Sequence, residues 1–83
     1  MKLDWAQLKT AIERGLNSAK NEERGGLRVH CGSAERMLKG AKDNTAKEIL
    51  DKVHHAKTSI ELDRAVGFLE EAIVLVSKEA PAS

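Results

Sequence analysis

The sequence predicts an all-α fold, a small helical bundle of three to four helices with short connections, and three observations carry that prediction. Eleven of the 83 residues are alanine, there is no tyrosine, and the large aromatics are Trp5 and Phe68 alone. Strands favour aromatic and β-branched side chains, whereas alanine is the strongest helix former. Apolar residues also recur every three or four positions through most of the chain, the spacing that lines one face of a helix. Capping residues and chain breakers, finally, divide that pattern into segments of helical length. Residues 1–83 read as a single helical domain, with 79–83 expected to be a frayed tail.

The first helix has a readable start. Asp4 can cap free amides and Gln7 stands three residues on, as in a capping box. Leu8, Ile12, Leu16 and Ala19 then share a face, with Trp5 one turn earlier and Gly15 inside the run as a point of close approach. Gly25-Gly26 is the strongest breaker signal in the chain. Residues 27–41 are ambiguous. Leu27, Cys31, Ala34, Leu38 and Ala41 make a helical stripe, yet Leu27, Val29 and Cys31 also alternate like a strand. A lone strand has no partner here, so helix is favoured, with a late start at a Ser33 cap or a loop over 25–32 as variants.

Thr45 with Glu48 predicts the start of the next helix, whose apolar face is Ala46, Ile49, Leu50, Val53, Ala56 and Ile60. Thr58 or Ser59 can cap the last helix. There Leu62, Ala65, Val66, Leu69, Ala72, Ile73 and Val76 form the main stripe, Phe68 and Leu75 widen it, and Val74 points away.

Net charge is +1, but residues 1–47 carry +4 and residues 48–83 carry −3. The single cysteine, Cys31, cannot form an internal disulfide, and no apolar run is long enough for a secretory leader or a membrane span. A cytoplasmic protein with no membrane association is the expectation.

Motifs with chemistry are sparse. His54 and His55 point about 100° apart on a helix and cannot chelate one metal together. Cys31 and His30 are likewise adjacent, no third residue is spaced to orient a histidine, and Gly25-Gly26 lacks the Lys-Ser/Thr ending of a phosphate loop. The expectation is a non-enzyme with no catalytic residue, metal or cofactor. The run His54-His55-Ala56-Lys57-Thr58-Ser59 resembles the histidine-phosphotransfer motif, in which a surface histidine is followed three residues later by lysine and then by a small residue. That family also folds as a four-helix bundle. The resemblance spans six residues and implies His54 as phosphoryl acceptor with Lys57 neutralising the phosphoryl oxygens. Thr58 stands where the family has glycine, and the helix is expected to end there.

Two surfaces point to binding. Arg24, Arg28, Arg36, Lys39 and Lys42 stand against one acid, Glu35, which can pair with Lys39 at i,i+4 spacing. Arg28, Lys39 and Lys42 would share one side of a helix. Phe68, Val74 and Leu75 give the last helix more apolar surface than an edge helix needs. The expected function is binding of another macromolecule, foremost a protein or a second copy of this chain as a homodimer, as an adaptor or inhibitor acting by surface occlusion. Phage-encoded inhibitors of host machinery are one such class by analogy. A nucleic-acid-binding accessory protein using the basic segment 24–42 is the alternative, and phosphotransfer a third.

Overall fold

The computed structural model describes residues 3–79. Four helices follow one another: α1 (Trp5–Lys20), α2 (Arg24–Leu38), α3 (Asn44–Thr58) and α4 (Leu62–Glu79). Among the described residues there is no strand. The alternation of Leu27, Val29 and Cys31 is therefore helical, and it carries Val29 to the outside while the other two are buried. α1 packs on α2 and α4, and α3 packs on α2 and α4. Each helix thus has two neighbours and turns one stripe inward, with short connections reversing the chain. The smallest extent of the Cα trace is 17 Å, the depth of two helices packed 8–10 Å apart.

The core is aliphatic and fine-grained. Leu8, Ile12, Leu27, Leu38, Ile49, Val53, Leu69 and Val76 are fully buried, with Ala34, Ala46, Ala56, Ala65 and Ala72 between them. Alanine at these places lets helix axes approach, so a chain of this length can close a core with two large aromatics. Both of those, Trp5 and Phe68, are half-buried at its edge.

The connections correct several expectations. Asp4 does cap α1, its carboxylate accepting from Gln7 N at 3.1 Å. Gly25-Gly26, however, is no breaker: both glycines lie in the first turn of α2. The chain reverses earlier, where Glu22 adopts φ +59°. Its N–H donates to Ala19 O at 3.1 Å and that of Glu23 to Ser18 O at 2.7 Å, the paired bonds of a Schellman ending. Gly26 is needed for a different reason, since a Cβ there would stand 2.6 Å from Ser18 Oγ. Gly26 lets α2 lie close on α1, whereas Gly25 faces open space.

α2 ends in a type II turn over Leu38–Ala41. Lys39 is extended (φ −63°, ψ 126°), Gly40 has φ +87°, and Ala41 N donates to Leu38 O at 3.1 Å, the backbone that turn requires. The cap of α3 is Asp43, whose side chain accepts from Thr45 N at 2.8 Å. Thr45 is thus already inside the helix. Neither Thr58 nor Ser59 serves α4: their hydroxyls donate backward to the His54 and His55 carbonyls. Ile60 follows the end of α3 and is 89% exposed, so it is not part of the α3 core face. Glu79 closes α4, and the remainder of the expected tail lies outside the described residues.

Candidate functional site

The groove between α2 and α3 gathers most of the chemistry. Glu35, one turn before the end of α2, leans toward α3 and leaves Lys39 unpaired. Its carboxylate receives His54 Nδ1 on Oε2 at 3.1 Å and the Lys57 ammonium on Oε1, and its side chain is 20% exposed. Lys39 sits beyond the last helical residue, where the turn has begun, so the i,i+4 geometry does not apply to it. Desolvation pushes the Glu35 carboxyl up, but the hydrogen bonds and charge of Lys57 and His54 outweigh it and hold the group below its ordinary value. An ionised carboxylate only accepts, so His54 Nδ1 carries the hydrogen in this contact. A partner orienting His54 does exist, therefore. It was invisible in the sequence because it comes from another helix.

About three turns toward the α2 N-terminus, in its first turn, Arg24 reaches the α3–α4 connection. Its guanidinium donates from Nη1 to Ser59 O at 2.9 Å and from Nη2 to Ile60 O at 2.5 Å. These carbonyls follow the end of a helix and have no intrahelical partner, so Arg24 satisfies them and ties α2 to the start of α4. Arg24 is half-buried. Arg24, Arg28, Lys57, Thr58, Ser59 and Ile60 line an open cavity of about 600 Å³ here.

The other basic residues spread outward. Arg28, Arg36, Lys39 and Lys42 are all exposed, and none of them pairs with a carboxylate among the described residues. Lys42 lies in the α2–α3 connection, so it does not continue the helical side that carries Arg28. Val29, 63% exposed, and Arg36 are seven residues apart and share the outward side of α2.

The apolar residues of α4 are placed differently from one another. Phe68 and Leu75 are half-buried and pack against the core, and Phe68 stacks on the His55 ring with centroids 5.4 Å apart. Val74 alone of the three is exposed, at 55%. The unusual width of the α4 stripe thus reflects a helix with neighbours on both sides. His55 has defined contacts as well: besides covering Phe68 it donates from Nδ1 to Asp51 O at 2.7 Å. The two imidazoles lie 6.5 Å apart at 74° and do not converge.

Cys31 is buried beneath this groove. Burial, with the Glu35 charge adding to it and Lys57 opposing, pushes its thiol up to about 11. It is a core side chain with little thiolate character. A second, smaller cavity of about 380 Å³ lies between α1 and α2, edged by Gln7, Arg14, His30 and Met37. Among the described residues, no three histidine, cysteine or acidic side chains cluster as a metal site would need, and no helix is long and apolar enough to cross a membrane. Compared with protein-family models, curated proteins and solved structures, the chain matches none.

Proposed function

We propose that this protein is a non-catalytic binding module that docks on an acidic surface of a partner protein, as an adaptor or as an inhibitor acting by occlusion. One observation carries the reading. Glu35 is the only acid between residues 24 and 42, and it is turned onto α3, where Lys57 and His54 hold it. Arg28, Arg36, Lys39 and Lys42 are left exposed without a compensating carboxylate. Such a strip steers an acidic partner and fixes its orientation. Val29, in its midst, supplies apolar contact.

The test uses the partner itself. A protein captured from the native host is identified and purified, and its affinity is measured at several salt concentrations against wild type and Arg36→Glu/Lys39→Glu/Lys42→Glu. Binding that weakens with salt and falls at least about tenfold in the variant supports the reading. Unchanged affinity in the variant overturns it. The same strip could meet phosphates, and a steeply salt-dependent shift of DNA or RNA would transfer the proposal to nucleic acid. Self-association through α4 is the remaining form of the protein-binding reading; Val74→Asp should dissociate a dimer detected by sedimentation, and a strict monomer at high concentration removes that form.

A second reading gains one specific observation. Glu35 holds the His54 ring through Nδ1, which leaves Nε2 outside that contact, and Lys57 shares the same carboxylate, an arrangement suited to a phosphoryl acceptor. Against it, the Lys57 ammonium is already paired and α3 ends at Thr58. Acid-labile, base-stable phosphate on His54 after incubation with a phosphodonor kinase would establish it, and none on His54 would remove it.

A further inference from the structure

We infer that the cavity at the α2–α3 groove is a subsite for a phosphate monoester carried on a peptide, a phosphorylated side chain of the acidic partner. This inference rests on the binding reading above. Three cationic side chains line the cavity, Arg24, Arg28 and Lys57, and no carboxylate does. Glu35 neutralises Lys57 from behind, leaving an excess near +2. A phosphomonoester carries about −1.5 to −2 at pH 7 and matches that excess, whereas a single carboxylate leaves half of it uncompensated.

The donors are in place before a ligand arrives. Arg24 is fixed by the Ser59 and Ile60 carbonyls, and Lys57 by Glu35. Each keeps N–H groups beyond those contacts, because a guanidinium has five and an ammonium three. Arg28 has no partner among the described residues, so its planar fork is free to take two phosphate oxygens. The Thr58 and Ser59 hydroxyl protons are committed to α3 carbonyls, so recognition falls to the cations. Pre-positioned donors lose little freedom on binding. The carrier follows from size and rim. About 600 Å³ exceeds a bare phosphate ion several-fold, and Ile60, 89% exposed at the edge, offers apolar contact to whatever bears the phosphate.

The experiment titrates the isotope-labelled full chain with a short peptide containing one phosphoserine. Its unphosphorylated and glutamate counterparts and inorganic phosphate serve as the other arms, with amide shifts as readout. Saturable shifts at Arg24, Arg28, Ser59 and Ile60 with the phosphopeptide are expected. They should be at least about tenfold weaker with the glutamate peptide and in Arg28→Gln, the loss typical of a charge-assisted fork. The Arg28 side chain makes no hydrogen bond or ion pair among the described residues, so its replacement leaves the fold intact, and unchanged shifts elsewhere verify that. No saturation, or equal affinity in Arg28→Gln, overturns the assignment. Inorganic phosphate binding as tightly as the phosphopeptide overturns the peptide carrier. Arg36→Glu/Lys39→Glu/Lys42→Glu leaves the cavity lining untouched, so loss of partner binding in that variant and loss of phosphopeptide binding in Arg28→Gln report separately.

Discussion

If Gly26 is replaced by alanine, the new methyl lies 2.6 Å from Ser18 Oγ and 3.1 Å from Ser18 Cβ, whereas the same change at Gly25 meets nothing within 4 Å. Both positions are in the first turn of α2, so both gain the backbone term of Gly→Ala, about 0.5–1 kcal/mol. At Gly25 nothing opposes that gain. At Gly26 the hydroxyl can rotate away, but the Ser18 Cβ cannot, and α1 must shift. Overpacking of this kind costs about 1–3 kcal/mol, which leaves Gly26→Ala destabilised by about 1 kcal/mol. Urea denaturation followed by helical circular dichroism resolves the two. With a slope near 1 kcal/mol per molar, expected for a chain this small, the midpoint should rise by roughly 0.5 M for Gly25→Ala and fall by roughly 1 M for Gly26→Ala. Ser18→Gly removes both contacted atoms. In that background Gly26→Ala should recover most of its loss, a coupling of about 1 kcal/mol between two residues on different helices. Equal stabilisation by both alanines, or no coupling with Ser18, would refute the close α1–α2 approach.

Other outcomes follow from the same geometry. Glu22→Gly should stabilise by about 1 kcal/mol, read as a raised thermal midpoint, because a left-handed residue with a Cβ is strained. The depressed Glu35 carboxyl contributes stability that is present above the ordinary carboxylate range and lost as pH falls through its folded value. Denaturation midpoints measured across acidic pH should therefore drop less steeply in Glu35→Gln than in wild type, and parallel curves would count against the Glu35–His54–Lys57 cluster. Cys31, buried and raised to about 11, should resist a thiol-specific reagent at pH 8 in the native protein and react at once in urea. Fast native labelling would mean that the groove opens.

The helices were legible because their core stripes obey one period: Leu8 with Ile12, Leu27 with Cys31 and Leu38, Ile49 with Val53, and Leu69 with Ala72 and Val76 are all buried. What sequence reading missed was set by contacts between helices. A glycine doublet reads as a break until Ser18 is known to press on Gly26. A turn built on Glu22 carries no local signal, since glutamate does not favour positive φ. Glu35 was assigned to Lys39, four residues on in the same segment, but α3 presented two better-placed partners. Arg24 was counted as surface charge, although two connection carbonyls 35 and 36 residues away hold it. Periodicity ranks residues by face and says nothing about which neighbouring helix a flank meets.

Helix adjacency also bears on how the chain reaches this state. Of the four packed pairs, three join helices consecutive in sequence, and only α1 with α4 brings distant segments together. Such local topology belongs to the fast end of folding, microseconds to milliseconds. The α1–α4 seam is the step that must wait for the intervening chain to order; a methyl at Gly15 would reach it at Leu69 Cδ1, 3.7 Å away, and would also meet Cys31 Sγ and His30 Cβ of α2 at 3.6 Å. Gly15→Ala would then divide its stabilisation between faster folding, through the early α1–α2 contacts, and slower unfolding, through the late contact with Leu69.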